Sequence, residues 1–455
     1  MMAALQAAYT KRGAKSTNED ACCVLFPESS GGGREEWRVF GAAVFDGHGG
    51  NNGAIAAQEA CQETRQWFRE ITLPGANRCA CRQWTLQQWT ASLETHFVRT
   101  HERIRARFYE NELEAADERA RAAGRAVPPH SDIEVDSDVD ESSRTSPGGT
   151  CYSNSGVAPK CERPTIDDKG VVRKCTGSPV HGGTTATIVV VVQDLRSRTA
   201  HVICANVGDS NAFLFARNGA DGAAAELSES DSTTSSVNPQ QVRVEPRELS
   251  VDHGPDSTEE YRRVCALSEE EYPHKLQFVY DRQDVIRKYL CPRVFLPDDR
   301  GVKDDKYLQH PWRHGLRPTN ARYDPAVYAV SPACVGSDTT CIAMTRALGD
   351  FYAHPFGLTC VPSVTLHTLR VVRDDPFVIA LGTDGVWDCF KFDDFVRLTR
   401  QHLDEAGQCI DKATTSLVEH TQRTAVSLFG ARHYDDASLA LLFVTGGERT
   451  DSVRP

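Results

Sequence analysis

Acidic residues next to glycine or another turn-forming residue recur in the sequence, each at a predicted strand end or turn. They occur in the segments Asn18-Glu19-Asp20, Phe45-Asp46-Gly47-His48, Gly208-Asp209-Ser210, Thr383-Asp384-Gly385 and Tyr434-Asp435-Asp436. A glycine at such a position lets the backbone approach a ligand closely. Carboxylates gathered at one edge repel one another unless a hard cation neutralises them, and oxygen ligands suit Mg²⁺ or Mn²⁺. The pattern therefore predicts a binuclear metal site.

Two other interpretations of these motifs are weaker. Most single Asp-Gly pairs are turns, so the metal prediction depends on the set rather than on any one pair. Gly47, Gly49 and Gly53 follow the spacing GxGxxxG, and the acid before the first glycine would repel a pyrophosphate, which argues against a dinucleotide site. His48 follows Asp46 by two positions, so it could donate a proton near the metals, or it could be a structural turn donor.

Regular patterns of apolar residues predict the elements that must position these acids. A helical period covers residues 84–112, and a second helix is expected over residues 53–71. Apolar runs predict strands at residues 41–45, 187–192, 201–206, 377–382 and 438–444. The second and third of these strands are separated by a short connection, which favours antiparallel pairing. A sandwich with antiparallel sheets fits this order better than a doubly wound parallel sheet.

Composition limits the class of protein. The 455 residues exceed the size at which a single core stops growing, so the chain needs two domains or one domain with large insertions. Hydrophobic residues are 40% and charged residues 25%, as in ordinary globular proteins. The net charge of −12 disfavours non-specific binding to nucleic acid or anionic lipid. No apolar run approaches the roughly 20 residues that span a bilayer, and the first residues do not resemble a secretion signal.

The 16 cysteines are too scattered for a disulfide scaffold and are interpreted as reduced thiols. Cys79 and Cys81 lack the spacing and the second ligand pair of a zinc site. These features predict a cytoplasmic or nuclear location.

Low-complexity stretches interrupt the periodic segments. Residues 113–180 contain an acidic insertion at 131–150, in which six acids within ten positions should remain solvated. This stretch is not an EF-hand, because Ser137 and Ser143 stand where glycine and glutamate are needed. Residues 215–245 predict a Ser/Thr-rich loop. Residues 265–340 form a further long segment with a basic run at Trp312, Arg313, His314 and Arg317, which could recruit a protein substrate or be a solvated insertion.

Eight ordered blocks of sequence resemble the protein phosphatase type 2C family of metal-dependent Ser/Thr phosphatases. They are GAKSTNEDA at 13–21, VFDGHGG at 44–50, GGTTATIVVVV at 182–192, ANVGDS at 205–210, LSVDHGP at 249–255, AMTRALGDF at 343–351, LGTDGVWD at 381–388 and YDDASLALLFV at 434–444. The resemblance implies one catalytic domain over residues 1–450, with an α+β fold. The expected architecture is a four-layer αββα sandwich of two antiparallel sheets flanked by helices.

The resemblance also assigns roles to individual residues. Asp46 matches the carboxylate that bridges two Mg²⁺ or Mn²⁺ ions, and the Gly47 carbonyl matches a ligand of the second ion. Asp384 and Asp435 match ligands of the first ion, and Glu19 and Asp20 match the acids that hold the second largely through water. Asp209 and Asp388 match positions that in some members bind a third, weaker ion. A hydroxide bridging the two metals would attack the phosphorus of phosphoserine or phosphothreonine, with His48 protonating the leaving oxygen.

Three positions depart from the family pattern. Lys15 stands where the family commonly has an arginine that binds the substrate phosphate, so Lys15 is the expected phosphate contact; the alternative is that it points to solvent and Arg12 takes the phosphate. Asn211 replaces the usual arginine after Gly-Asp-Ser, and Asp436 replaces the usual asparagine after the last metal ligand.

Further residues in the family blocks are predicted to be structural. They are Asp252, His253, Arg346, Asp350 and the core residue Trp387.

The leading functional hypothesis is an active protein serine/threonine phosphatase that acts on phosphorylated proteins, most simply as a monomer. The alternative is a weakly active or inactive phosphatase-like binding module. Retention of Asp46, Asp384 and Asp435 favours the enzyme, because loss of these acids is the simplest route to an inactive protein.

Overall fold

The computed structural model describes residues 6–27, 37–73, 80–123, 163–217, 246–298, 300–308, 310–311, 323–332, 340–371, 376–407 and 409–445. The acidic stretch 131–150, most of the predicted loop 215–245, the basic run at 312–317 and Cys79 lie outside these ranges. None of the helices in the described ranges has the length and apolarity needed to cross a bilayer.

Two five-stranded antiparallel sheets form the centre of the molecule. The first has the order β2 (Ala21–Leu25), β3 (Trp37–Phe45), β8 (Ala186–Asp194), β9 (Thr199–Val207) and β18 (Ser363–Arg370), with β2 and β18 at the edges. The second has the order β1 (Gln6–Lys11), β20 (Ala437–Val444), β19 (Phe377–Gly382), β10 (Asn211–Ala216) and β11 (Arg247–Glu248). The expected antiparallel pairing of β8 with β9 is confirmed.

Alternate residues along the central strands divide between different cores. Val189 and Val191 of β8 pack between the two sheets, with Leu381 of the second sheet in the same apolar cluster. Ile188 and Val190 of the same strand face the opposite way, into a cluster shared with the flanking helices. Successive side chains in a strand point to opposite faces, so the sequence of a strand that is buried on both faces is a continuous run of apolar residues.

Helices cover the outer face of each sheet. α1 (Asn51–Thr72) and α2 (Leu86–Ala122) pack on the first sheet, and α4 (Asp384–Trp387), α5 (Phe392–Glu405) and α6 (Ile410–Phe429) pack on the second. The four-layer αββα sandwich expected from the resemblance is therefore confirmed. Three-residue and four-residue 3₁₀ turns lie at 80–83, 288–290, 305–307 and 354–356.

The predicted helix over residues 84–112 is correct in its start and too short at its end. Thr85 caps the helix by accepting a hydrogen bond from the Gln88 amide, and the Gln88 side chain accepts one from the Thr85 amide. The helix continues to Ala122, through a segment rich in Ala, Glu and Arg that favours helix without an apolar period. The clear apolar period ends before the helix does.

Short strands join the sandwich to the rest of the chain. β4 (Gly47–His48), β7 (Gly183–Thr184) and β17 (Leu348–Gly349) form a small sheet beside the end of β3. β5 (Thr165–Ile166) and β6 (Val172–Arg173) form a hairpin, and β13 (His310–Pro311) pairs with β14 (Tyr323–Asp324).

The described part of the segment between β11 and β18 folds around its own apolar cluster. It contains α3 (Thr258–Cys265) and a sheet of β12 (Gln277–Tyr280), β15 (Val327–Val330) and β16 (Cys341–Ile342). Val264, Leu276, Phe278 and Phe295 are buried together there, apart from the clusters of the sandwich. We call this unit, residues 258–358, the insertion.

Candidate metal centre

Five of the predicted metal ligands lie where the chain enters or leaves a strand of the sandwich. Asp46 lies between β3 and β4, and Glu19 and Asp20 come directly before β2. Asp384 begins α4 two residues after the end of β19, and Asp435 lies two residues before β20. Central strands of both sheets therefore deliver acids to one edge of the sandwich.

Two glycines allow the segments around these acids to approach one another. A Cβ atom on Gly47 would lie 2.2 Å from the Glu19 carbonyl oxygen, and one on Gly385 would lie 1.8 Å from the Asp436 carbonyl oxygen. Both distances are far inside van der Waals contact. Gly47 therefore brings Asp46 next to the Glu19 segment, and Gly385 brings α4 next to the segment that carries Asp435.

The carboxyl groups form one buried cluster. Asp46 lies beside Asp384 and also feels the charges of Asp20 and Asp435. Burial, followed by the charge of Asp384, raises the pKa of Asp46 well above its usual value. Burial, followed by the charge of Asp436, does the same to the pKa of Asp20. Buried carboxylates that repel one another in this way favour the binding of a cation.

Lys15 supplies a positive charge to this cluster. Its Nζ lies 2.7 Å from Asp435 Oδ1, 3.8 Å from Glu19 Oε2 and 3.9 Å from Asp436 Oδ2. Partial burial acts to lower the pKa of Lys15, but the contact with Asp435 outweighs it and the net shift is upward. Burial raises the pKa values of Glu19 and Asp435, against the opposing charge of Lys15. The Lys15 side chain turns toward the acids, while Arg12 Nη1 donates to the Ser16 carbonyl oxygen.

The donor set is made of oxygen atoms, as Mg²⁺ and Mn²⁺ prefer. Asp20 Oδ1 is buried and has no hydrogen-bond partner among the described residues, although the other oxygen of the same carboxylate accepts from Thr383 Oγ1 at 2.9 Å. In the ranges that the structure describes, no three His, Cys, Asp or Glu side chains are arranged so that they could hold a metal ion as they stand. The donor chemistry fits a divalent ion, and Lys15 supplies a positive charge to the same acids.

His48 is held by a residue from a distant part of the chain. Its Nε2 lies 2.7 Å from Asp350 Oδ2, across 302 positions of sequence. Burial acts to lower the pKa of His48, but the contact with Asp350 and the charge of Asp209 raise it above its usual value. His48 Nδ1 is buried and without a hydrogen-bond partner in the described part of the chain. The geometry favours the protonated imidazole, with one nitrogen fixed by Asp350.

Asp350 is the site residue whose role sequence analysis missed, since it was assigned only a structural function. Its φ of 49° is unusual for a residue other than glycine. The Asp350 amide donates to the Gly182 carbonyl oxygen at 2.8 Å, and a Cβ atom on Gly183 would lie 2.3 Å from Asp350 Oδ2. A bulkier residue at 183 would push the carboxylate away from His48. Local backbone strain in a buried acid of a recognised block is a signal of function that only the structure reveals.

Two of the departures from the family pattern have structural explanations. Asp436 is buried and accepts hydrogen bonds from the Gly13 amide at 2.6 Å and the Glu19 amide at 2.8 Å, so it fastens the loop that carries Lys15 and Glu19. Asn211 donates to Glu248 Oε1 at 2.8 Å and to Ser250 Oγ at 3.2 Å, which holds β10 against β11 and the residues that follow.

The remaining predicted ligands lie beside the cluster. Asp209 is buried after the end of β9, on the side of His48. Asp388 is buried one helical turn after Asp384, and its amide donates to the Asp384 carbonyl oxygen at 2.7 Å.

Three residues predicted to be structural make structural contacts. Arg346 Nη2 lies 2.6 Å from Glu260 Oε1 of α3. His253 Nε2 lies 2.8 Å from Ser363 Oγ, and burial, followed by the charge of Arg346, lowers the pKa of His253 to about 3. Trp387 is 1% exposed and packs on Phe392 and Phe395, as expected of a core residue.

Known proteins resemble parts of this chain. A family model described as Protein phosphatase 2C matches residues 161–272 and 330–427, which include Asp209, Asp384 and Asp388 but not Glu19, Asp46 or Asp435. Probable protein phosphatase 2C 65 of Arabidopsis thaliana is 33% identical over 126 residues, 27% of this chain and 29% of that protein. Probable protein phosphatase 2C 38 of Oryza sativa subsp. japonica is 35% identical over 108 residues, 24% of this chain and 22% of that protein.

The crystal structure of serine-threonine phosphatase 2C from Toxoplasma gondii superimposes over 96% of this chain and 94% of its own, with a TM-score of 0.48 and 14% identity. The sequence matches to the plant relatives span less than a third of the length of each. The family model and these relatives agree in one similarity, to the protein phosphatase 2C family, over parts of this chain.

Proposed function

We propose that this chain is a metal-dependent protein serine/threonine phosphatase that acts on phosphorylated proteins. The observation that carries the proposal is the convergence of Asp20, Asp46, Asp384 and Asp435, from four separate segments, into one buried cluster beside Lys15. Burying this many acids together destabilises a fold unless the cluster serves a ligand of opposite charge.

The residues fit two divalent ions, and we assign them as the resemblance implies. Asp46 would contact both ions, with Asp384 and Asp435 on the first. Gly47, Glu19 and Asp20 would serve the second, and Asp209 and Asp388 lie near a position for a third. When bound, such a pair of ions lowers the pKa of a water that they share and neutralises charge on phosphoryl oxygens.

The chain's own side chains would bind the substrate and move the proton. Asp350 fixes His48 through Nε2 and favours its protonated form, which leaves Nδ1 as the nitrogen that gives a proton to the departing serine or threonine oxygen. Lys15, released from Asp435 when cations are present, would contact a phosphoryl oxygen as a single charged donor. A lysine lacks the planar fork of an arginine, so we expect it to hold the phosphate less rigidly.

One observation favours the alternative of a weakly active or inactive binding module. Lys15 already neutralises Asp435, and a lysine that stayed there would compete with the cation. The two functions differ in whether Mn²⁺ displaces Lys15 and supports turnover.

The test measures hydrolysis of phosphoserine, phosphothreonine and phosphotyrosine peptides by the full chain, with Mn²⁺ or with a chelator, and measures Mn²⁺ binding by calorimetry. The variant Asp384→Asn removes one charge and one ligand, and Asp393→Asn, at an exposed position in the first turn of α5, is the matched control.

We expect Mn²⁺-dependent hydrolysis of phosphoserine and phosphothreonine peptides, lost by orders of magnitude in Asp384→Asn and retained in Asp393→Asn. Mn²⁺ binding without turnover in the wild-type chain would support the binding module. Turnover of Asp384→Asn near the wild-type rate at saturating Mn²⁺ would contradict the assigned site.

A further inference from the structure

Two histidines hold Gly349, the residue that precedes Asp350. His101 is buried on α2, and its Nδ1 accepts a hydrogen bond from the Gly349 amide at 3.2 Å. His354, in the 3₁₀ turn at 354–356, donates from Nε2 to the Gly349 carbonyl oxygen at 3.0 Å. The two imidazole rings lie against each other, with their centroids 4.4 Å apart. Both polar groups of the Gly349 backbone are therefore held by side chains from outside its strand.

The place of Gly349 in the small sheet explains why it needs these partners. β17 is an edge strand of that sheet and pairs with β7, where Gly349 lies opposite Gly183. The following amide, that of Asp350, donates to the Gly182 carbonyl oxygen, so the amide and the carbonyl of Gly349 point away from β7. An edge strand leaves such groups without a partner strand, and in the described structure the two histidines take that place.

The backbone around Asp350 depends on such contacts to keep its conformation. Gly349 and Asp350 have φ angles of 83° and 49°, both in the left-handed region. A residue other than glycine is kept in this region only when the surrounding structure holds it there. The Gly349 carbonyl belongs to the peptide group that joins Gly349 to Asp350, so His354 fixes the group from which the Asp350 side chain starts. Asp350 Oδ2 in turn lies 2.7 Å from His48 Nε2.

Both histidines are neutral in this arrangement. A ring nitrogen that accepts from an amide carries no proton, so the contact with Gly349 requires the neutral form of His101. Burial, followed by the charges of His354 and Arg105, lowers the pKa of His101 well below its usual value. Burial also lowers the pKa of His354 to about 4, against the charge of Asp350. Around neutral pH the two rings therefore hold the backbone and add no charge beside the site.

We propose that His101 and His354 are positioning residues, which place the Asp350 carboxylate on His48 through the Gly349 backbone. This role rests on the proposed phosphatase function, in which His48 protonates the leaving oxygen. Each histidine acts on His48 only through Gly349 and Asp350. The proposal extends the site to α2, a helix on the outer face of the first sheet.

The experiment compares variants that remove these hydrogen bonds with a variant that keeps one. His101→Leu removes the acceptor, whereas His101→Asn offers Oδ1 in place of Nδ1, since both atoms are bonded to Cγ. His354→Leu removes the donor, and because His354 is partly exposed it keeps the test available if His101→Leu fails to fold. The matched control is His96→Leu, which removes another buried histidine of α2, one that contacts Thr64 rather than Gly349.

Steady-state kinetics on a phosphothreonine peptide with Mn²⁺ measure the effect on turnover. We expect kcat of His101→Leu and of His354→Leu to fall about tenfold with KM within about twofold of wild type, because the loss concerns the placement of the proton donor. His101→Asn should recover most of this loss, and the control should retain the wild-type kcat. On the background Asp350→Asn, His101→Leu should cost almost nothing further.

Nuclear magnetic resonance of the full chain labelled with ¹⁵N-histidine measures the state of His48 without any turnover. The ring signals of His48 are assigned by their loss in His48→Gln. At one fixed pH, His101→Leu and His354→Leu should move the His48 Nε2 signal in the direction in which Asp350→Asn moves it. His101→Asn and the control should leave this signal in place.

An unmoved His48 signal in both leucine variants would overturn the proposal, whether or not the chain is an enzyme. Equal losses of kcat on the wild-type and Asp350→Asn backgrounds would overturn it too, as would a loss in His101→Asn as large as that in His101→Leu. If the wild-type chain shows no Mn²⁺-dependent turnover, the proposed function fails, and the His48 signal alone then decides whether the two histidines position Asp350.

Discussion

Lys15 is the cation nearest to the acids in the described structure, so replacing it should expose their mutual repulsion. We expect Lys15→Met to lower the melting temperature of the metal-free protein, because Asp435 loses its ion pair. The same variant should bind Mn²⁺ about fivefold more tightly, equivalent to ~1 kcal/mol, since a competing charge at a partly exposed position is removed. Calorimetry and thermal melts with and without Mn²⁺ measure both effects.

The control for Lys15 is Lys412→Met, at an exposed position on α6. It should change neither quantity. Weaker Mn²⁺ binding by Lys15→Met than by the control would mean that Lys15 supports the metal centre rather than competing with the ions.

Asp350 should act on turnover through His48. In Asp350→Asn the side chain keeps its size and tolerates the positive φ, so we expect the fold to survive. Loss of the carboxylate removes the group that holds the His48 ring in place and favours its protonated form. We therefore expect kcat to fall roughly 10²-fold, with little change in KM. Steady-state kinetics on a phosphothreonine peptide measure the effect.

The dependence on His48 can be separated from a general disturbance by a double-mutant cycle. On the background His48→Gln, the change Asp350→Asn should cost almost nothing further. Equal losses on both backgrounds would show that Asp350 does not work through His48.

For single residues, the sequence indicated which acids lie together better than it indicated their contact partners. Asp46 and Asp384 are recognisable because glycine follows each acid in a short motif at a strand end. The contact of His48 with Asp350 spans 302 positions and depends on a backbone conformation that no short motif specifies. Lys15 was expected near the phosphate, but its contact with Asp435 follows from how the loop before β2 folds back on β20.

The interface between α1 and α2 contains a histidine that should make the helix pair sensitive to acid. The Nε2 atom of His96, on α2, lies 3.1 Å from Thr64 Oγ1 on α1. The His96 ring stacks on Trp67, with the ring centroids 5.0 Å apart. Burial, followed by the charge of Arg99, lowers the pKa of His96 to about 3. Between pH 6.5 and about 3 the unfolded chain therefore binds a proton that the folded chain excludes, so this contribution to stability is complete above pH 6.5 and is lost as the pH falls.

We expect His96→Gln to reduce the slope of unfolding free energy against pH in that range, by at most about 1.4 kcal/mol per pH unit. Urea unfolding at several pH values measures this slope, and His433→Gln, at an exposed position, is the control. An unchanged slope in His96→Gln would place the acid sensitivity elsewhere.

The same helix shows what pattern alone can predict about elements. Its start was predictable because Thr85 and Gln88 form a capping box just before the apolar period. Its end was not, because residues after Phe108 are held by helix propensity and a few contacts, such as buried Ala116, rather than by a repeating apolar face. Strands buried on both faces were recognised as apolar runs, and β19 has the predicted bounds of residues 377–382.

For the whole molecule, the layer order followed from the resemblance rather than from the periodicity. The apolar runs could not say which sheet each strand joins, and β1 pairs with β20 from opposite ends of the chain. The insertion was the least predictable unit. It has its own core, while its described elements are one short helix, short strands and 3₁₀ turns.

A separate core means that the insertion can open without the sandwich. Backbone amides of Gln277–Tyr280 should exchange with deuterated water through a local opening of the insertion. The free energy of this opening should be lower than that for the amides of Ala186–Asp194, whose strand is covered on both faces. Within the insertion, Glu260 accepts from Arg346 at 2.6 Å and from Thr345 Oγ1 at 2.7 Å, and Thr345 Oγ1 also lies 2.9 Å from the carbonyl oxygen of His253, which is outside the insertion. Exchange mass spectrometry of Glu260→Gln should show faster exchange at Gln277–Tyr280 and no change at Ala186–Asp194, whereas equal acceleration of both would mean that the molecule unfolds as a single cooperative unit.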